Sequence, residues 1–356
     1  FVDVPSSGKT ITLNFFSEAA IVYATDNFSA AAFVSHAANR NPDQLTKIDL
    51  LPKIKRKVLI VRDLAPIFGQ RDDDILKTMG ILTRVFDGEG LETDGGCHGK
   101  RGYKGDYLFM FLAASTPIRP RVWNVMGNFG SRLFFVNMDS PDKSVSRLAS
   151  QLSSELSPHQ KEKICRLATT ELINSIWARG NISWNKESND NDLLEDIARI
   201  AQIVASLRGT INVWQHKLGD ETFNHTEPMV EKPDRINQAL YNLARGHAVA
   251  CGRVSIDDSD IATVLKVALN SASVERAKFL SKLIQNNGVL TTEDVIHGMD
   301  WSRPTALKYM EIFRYLRIVE EIPHLDSRVG GSEKVIKVAE QFSWLLNERF
   351  RKLHGL

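Results

Sequence analysis

Residues 1–10 read FVDVPSSGKT. A short apolar, strand-like stretch runs into a turn of Pro5, Ser6 and Ser7, and Gly8-Lys9-Thr10 then opens a helical stretch. This is the back half of a phosphate-binding loop. Its chemistry needs a Gly that lets backbone N–H groups close on phosphates, a Lys for the outer phosphates and a hydroxyl for Mg²⁺. Ser7, Gly8, Lys9 and Thr10 are expected to bind a nucleotide, with Thr10 also on the metal. The full pattern G-x-x-x-x-G-K-[ST] places its first glycine at position 3, where this chain carries Asp3. A chain that opens on the strand itself is expected to have residues upstream.

Working outward, residues 57–63 (KVLIVRD) put four apolar residues between basic and acidic neighbours. Such a run suits a buried parallel strand, and an acid at its carboxyl end holds Mg²⁺ through water. Asp63 is that acid. Residues 107–114 (YLFMFLAA) form a third strand candidate that ends in Ser115-Thr116-Pro117, where Thr116 is expected to touch the attacking water or the γ-phosphate. Residues 133–136 (LFFV), after Gly130-Ser131-Arg132, form a fourth. Strands alternating with helical stretches predict an α/β fold, a parallel sheet with its ligand at the strand carboxyl ends.

These four elements, in this order and at this spacing, resemble an AAA+ ATPase of the branch that contains minichromosome maintenance helicases and magnesium chelatases. The resemblance runs from residue 1 to about 269 and implies ATP and Mg²⁺ as cofactors. In that branch a hairpin before the sensor strand points basic residues into the channel of a ring. Residues 87–106 (DGEGLETDGGCHGKRGYKGD) occupy its place, seven of the twenty being Gly, with Lys100, Arg101 and Lys104 near the end. Read without the resemblance, the segment is a Gly-rich loop whose cations meet phosphates without sequence preference. Arg132 resembles the arginine finger that reaches a neighbouring subunit's γ-phosphate, a role suited to an always-charged planar donor. Activity then requires a homo-oligomeric ring, expected to be a hexamer. Residues 232–264 look like the family's helical lid, and Arg235 matches its second sensor arginine. One departure matters: the family carries Glu after the metal-side Asp as general base, whereas Leu64 follows Asp63. Asp63 alone, an acid among Asp72, Asp73 and Asp74, or Glu89 are the remaining candidates, slow hydrolysis being the other outcome.

Between sheet and lid, residues 141–219 are helical in pattern. Leu193, Ile197, Ile200, Ala201, Val204 and Leu207 make an apolar stripe on one helix, and Ile164, Leu167, Leu172 and Ile176 mark the helix before it. Residues 220–233 read as a linker. His216, His225 and Glu227 fit no metal-ligand spacing.

From residue 274 the pattern changes to short helices at 274–285, 291–298 and 302–316, the last opening at Ser302. Two such helices across a tight turn resemble a helix-turn-helix, and residues 318–322 and 334–338 bracket a Gly-containing loop as a β-wing does. The whole resembles a winged helix. Read as a DNA reader, it presents Ser302, Arg303, Thr305, Lys308 and Tyr309 on the second helix and Arg328 and Lys334 on the wing. With 13 Lys and Arg against 11 Asp and Glu, the module is not strongly basic, and protein docking is its other reading.

The expected domains are thus 1–140 (AAA+ α/β core), 141–272 (helical segment and lid) and 273–356 (winged helix). At 356 residues the chain exceeds one comfortable core. A composition of 43% hydrophobic and 25% charged residues is that of an ordinary globular protein, and the net charge of +2 leaves nucleic-acid binding to local patches. No run of 18 apolar residues and no leader pattern occur, so a cytoplasmic protein without membrane contact is expected. Cys97, Cys165 and Cys251 lie too far apart for a zinc site or a disulfide framework, Cys97-His98 included. The leading expectation is an ATP-dependent, ring-forming motor, a helicase or translocase on single-stranded or duplex DNA that resembles mobile-element replicative helicases. An ATP-switched DNA-binding regulator with slow hydrolysis and a protein-remodelling AAA+ ATPase are the alternatives.

Overall fold

A computed structural model describes residues 1–35, 41–95, 99–127, 130, 132–138, 140–215, 222–322 and 334–355. The chain is mixed α/β and divides into two compact units, Phe1–Arg132 with Asn137–Asn181, and Leu133–Val136 with Ile182–Leu356. The helical stretch between sheet and lid is therefore shared between both units. Among the described residues no helix is long and apolar enough to cross a membrane.

The first unit contains helices α1 (Lys9–Asn14), α2 (Pro42–Ile48), α3 (Leu50–Ile54), α4 (Ala65–Phe68), α5 (Asp72–Phe86), α6 (Pro120–Gly127), α7 (Val145–Leu152) and α8 (Pro158–Ala178). Its strands are β1 (Val22–Thr25), β2 (Val58–Val61), β3 (Gly90–Gly95), β4 (Gly99–Lys104) and β5 (Met110–Ala113). β2 lies between β1 and β5, parallel to both. Val2 extends this sheet through parallel bridges to Ser115 and Asn137, so that the sheet runs from Asn137 through Val2, β5 and β2 to β1. Leu59, Ile60 and Val61 are buried on this central strand, as four apolar residues in a row demand. The expected fourth strand is corrected: residues 133–136 form no ladder. Arg208 donates to the Leu133 carbonyl at 3.0 Å and the Ser271 hydroxyl accepts from the Phe135 N–H at 2.9 Å, so side chains take up groups that a ladder leaves to strand partners.

The second unit contains α9 (Asn191–Arg208), β6 (Val213–Gln215), β7 (Phe223–His225), α10 (Asp234–Ala250), α11 (Asp258–Asn270), α12 (Val274–Gln285), β8 (Val289–Thr291), α13 (Thr292–Met299), α14 (Arg303–Tyr315), β9 (Val319–Ile322), β10 (Val335–Val338) and α15 (Glu348–His354). All six stripe residues of α9 are buried. β10 pairs antiparallel with β8 on one side and β9 on the other. Strands β6 and β7 pair where helix and linker were expected. Residues of α9, α10 and α11 join those of α12, α13 and α14 in one apolar cluster, in which Phe279 and Phe313 are fully buried with ring centroids 4.4 Å apart. Arg276 of α12 also donates to the carbonyls of Leu207 at 2.7 Å and Gly209 at 2.6 Å, closing the end of α9, where a cation complements the helix dipole. The lid-like helices and the C-terminal module thus share a core. Phe313→Ala is expected to cost about 3–5 kcal/mol of unfolding free energy in urea titration; a loss below about 1 kcal/mol would contradict the shared core.

Candidate functional site

Parallel strands place their carboxyl ends along one edge, where open α/β sheets bind ligands. On this edge the turn after Val2, Ser115 after β5, and Asp63 after β2 follow one another. Gly8 caps α1 in the left-handed region at φ 93°, open to Gly at no steric cost. Lys9 is buried, and its Nζ donates to the carbonyls of Asp3 at 2.8 Å and Val4 at 2.6 Å and to Ser7 Oγ at 3.1 Å. The ammonium is drawn across the loop by the backbone on its other side. Asp3, in place of the pattern's first glycine, caps the turn: its Oδ1 accepts from the Val4 N–H at 2.7 Å. The Thr10 side chain is exposed beside this loop.

Asp63 is exposed and accepts from the Ala65 N–H at 2.8 Å through Oδ1, starting α4. A hydroxyl and a carboxylate form a hard oxygen set that suits Mg²⁺ with phosphate oxygens and water. Leu64 is buried, so the residue after Asp63 turns into the core. The remaining acids differ in position. Asp72, Asp73 and Asp74 open α5 just beyond the carboxyl end of β2, with Asp72 paired to Arg121 and Asp74 to Arg71. Glu89 lies past the other end of α5, paired to Arg84 at 3.0 Å. At β5, Thr116 is exposed, whereas Ser115 is 3% exposed and its Oγ has no hydrogen-bond partner among the described residues. A buried hydroxyl without a partner is unusual. Ser115 is the residue that the sequence did not single out from Thr116; Ala114 and Ser115 are buried in succession, so no alternation along the strand marks it.

Arg132 forms a two-pronged pair with Asp87, Nε to Oδ1 at 3.0 Å and an Nη to Oδ2 at 3.2 Å, and its side chain is 14% exposed. Asp87 follows α5, and the next residue, Gly88, accepts from the Tyr107 N–H ahead of β5. Arg132 therefore lies toward the amino ends of the strands, away from the loop of its own chain. Ser131 is outside the described residues. Arg235 is exposed in the first turn of α10 in the second unit.

The Gly-rich segment forms an antiparallel hairpin, β3 with β4. Its strands approach so closely that a Cβ on Gly102, at φ 145°, would stand 2.1 Å from the Leu91 carbonyl oxygen. The three cations diverge. Lys100 is exposed and pairs with Glu92 at 3.2 Å, and Lys104 is exposed with no ion pair among the described residues. Arg101 turns inward to Asp49 at 2.6 Å. The fully buried Asp49 carboxylate also accepts from Tyr103 Oη at 2.7 Å and from Ser35 N and Oγ at 3.0 and 2.7 Å. Cys97 and His98 are outside the described residues.

In the second unit Lys308 is exposed on α14, and Arg303 lies 3.5 Å from Glu293. Tyr309 packs on Trp301 with centroids 4.5 Å apart, and burial raises its hydroxyl pKa. Lys334, expected on the wing, is instead paired to Glu311 and, at 2.7 Å, to Glu321. Arg328 and His216 are outside the described residues, and His225 stacks on Tyr315 at 3.7 Å. Burial pushes the Glu311 carboxyl up, but hydrogen bonds from Lys334 and Arg314 outweigh it and hold the group below its ordinary 4.5.

A comparison with protein-family models finds no match to this chain, and neither does a comparison with curated proteins.

Two predictions follow from these partners. Arg101→Ala leaves the Asp49 carboxylate without its cation and is expected to cost about 3 kcal/mol in urea unfolding, while Lys104→Ala stays within about 0.5 kcal/mol; equal effects would contradict the inward role. For Glu311 the folded pKa is depressed, so its stabilisation is complete above about pH 4.5 and is lost as pH falls through the folded value. Urea midpoints of the native chain and Glu311→Gln are expected to differ at neutral pH and to converge as pH falls through the folded value; a constant gap would contradict the assignment.

Proposed function

We propose that this chain is an AAA+ ATPase, a P-loop parallel sheet with a helical lid followed by a winged helix, and that it works as a ring-forming, ATP-dependent motor on DNA. The observation that carries the reading is the sheet order: the Gly8-Lys9-Thr10 turn leaves the strand beside β5, and Asp63 leaves the next strand along, on one edge. Lys9, held over the loop by carbonyls, meets the β and γ phosphates in exchange for those contacts. Thr10 and, through water, Asp63 would hold the magnesium ion, which when bound neutralises charge on the phosphates. Ser115 and Thr116 offer hydroxyls at the end of the intervening strand. Asp72, Asp73 and Asp74 are better placed than Glu89 to take a proton from water, because they lie on the loop's side of the sheet.

Assembly is supported from two directions. Arg132 faces away from its own loop, so it can serve only a neighbour's phosphate, after its pair with Asp87 opens. Helices α7 and α8 expose Val145, Leu148, Leu152, Ile164, Leu167, Leu172 and Trp177, apolar side chains that a neighbouring subunit would cover. For DNA, the exposed Lys100 and Lys104 on the hairpin are the phosphate contacts, and Arg101 braces the hairpin from beneath. The order α12, β8, α13, α14, β9, β10 with an antiparallel sheet supports a winged helix, in which Lys308 and Arg303 lie on the helix that enters the major groove.

The buried Leu64 favours a second reading, an ATP-held switch whose winged helix docks on DNA while hydrolysis stays slow. ATP turnover measured alone, with single-stranded DNA and with duplex DNA, separates the two. The motor predicts DNA-stimulated turnover that falls at least about a hundredfold in both Lys9→Ala and Arg132→Ala and partly returns when the two variants are mixed, since a mixed ring contains interfaces with both groups intact. ATP bound without turnover under any condition defeats the motor and leaves the switch.

A further inference from the structure

At the C-terminal end of α10, an imidazole held by a buried carboxylate faces an exposed thiol. Cys251 follows α10 directly and is solvent-accessible. His247, one turn earlier, places Nε2 4.0 Å from Cys251 Sγ and Nδ1 2.6 Å from Asp260 Oδ1. Asp260 is fully buried. Burial raises its pKa, yet the bonds from Arg253, His247 and the Asp257 N–H prevail and hold it below the usual carboxylate range. An ionised carboxylate only accepts, so Nδ1 carries a hydrogen, and Nε2 faces the sulfur, where the neutral form of the ring offers a lone pair. Arg253 grips Asp260 with both prongs, at 2.7 and 2.9 Å.

A purely architectural account covers part of this cluster. Asp260 completes the capping box of α11, and Arg253 ties it to Asp257 at 2.9 Å. That account gives no reason for the imidazole's basic nitrogen to face an exposed thiol. Reactive cysteines sit in partly exposed places beside imidazole or guanidinium groups, which take the proton and steady the anion. The negative end of the α10 dipole opposes a thiolate, but it is spread over the last turn, whereas the imidazole stands next to the sulfur. Asp257, half-exposed, faces Arg253.

We propose that Cys251 is a nucleophilic thiol, deprotonated by His247 and kept in register by Asp260 as a positioning residue, and that it exchanges with low-molecular-weight disulfides. Nε2 takes the thiol proton, and Sγ attacks one sulfur of the disulfide. The new S–S bond forms as the old one breaks. The departing thiolate collects the proton from His247 and leaves as a thiol. Cys251 is thereby oxidised and the small disulfide reduced, and any second thiol reverses the step. The modification lands on the helix whose first turn bears Arg235.

Cys165, exposed on α8 and without a histidine partner among the described residues, is the control inside the same molecule. The full chain is treated with glutathione disulfide, and separately with iodoacetamide, at neutral pH, and modification of each cysteine is followed by peptide mass spectrometry. Cys251 is expected to react more than about fivefold faster than Cys165 with both reagents, and His247→Gln to remove that excess while circular dichroism is unchanged, with His247→Ala as a second variant. A smaller ratio in the native chain, or a ratio that survives loss of the imidazole in a folded variant, overturns the proposal.

Discussion

A parallel ladder can be re-entered only from one end, so every connection between its strands must cross back over the sheet. In the first unit this constraint sends α5 from the carboxyl edge of β2 to the amino edge of β5 and leaves turns, not helices, gathered at the other edge. The positions of Asp63, Ser115 and the Gly8 turn are consequences of that single rule. So is the remoteness of Arg132, which pairs with the residue where α5 ends. The chemistry assigned to this edge rests on strand direction more than on any individual contact.

Arginines do much of the internal joining. Arg101 ties the hairpin to buried Asp49, Arg166 links α8 to Glu18, Arg276 closes the end of α9, and Arg253 secures the start of α11. Arg101 and Arg253 satisfy carboxylates that burial would otherwise leave costly, which is what a planar fork of donors does well. A count of basic residues therefore overstates the positive surface available to a polyanion. Of the cations considered for DNA contact, the exposed ones, Lys100, Lys104 and Lys308, are lysines.

How much could be read from sequence follows the same division. The apolar run at residues 57–63, the stripe of α9 and the helix after Ser302 were legible because each is a periodic pattern with one burial solution. Residues 133–136 have the composition of a strand, yet their backbone groups are taken by Arg208 and Ser271 from 75 and 136 positions away, which no local pattern encodes. Among candidate site residues, the loop and Asp63 stood out by motif and spacing. The inward turn of Arg101, the pairing of Lys334 with Glu311 and Glu321, and the buried hydroxyl of Ser115 depend on long-range neighbours, and a charge or hydroxyl in a sequence does not announce its partner.

The clasp between α8 and α1 has a mechanical meaning. Asn14, in the helix that leaves the Gly8 turn, donates to Glu162, and Arg166 bonds both Glu162 and Glu18. The clasp sits near one end of α8, and Ala178 lies twelve residues beyond Arg166, about 18 Å along the helix axis. A tilt of about five degrees at the clasp swings the far tip by roughly 1.5 Å. Any such tilt of α1 is thus magnified along the long helix, with Leu172 and Trp177 carried toward its far end.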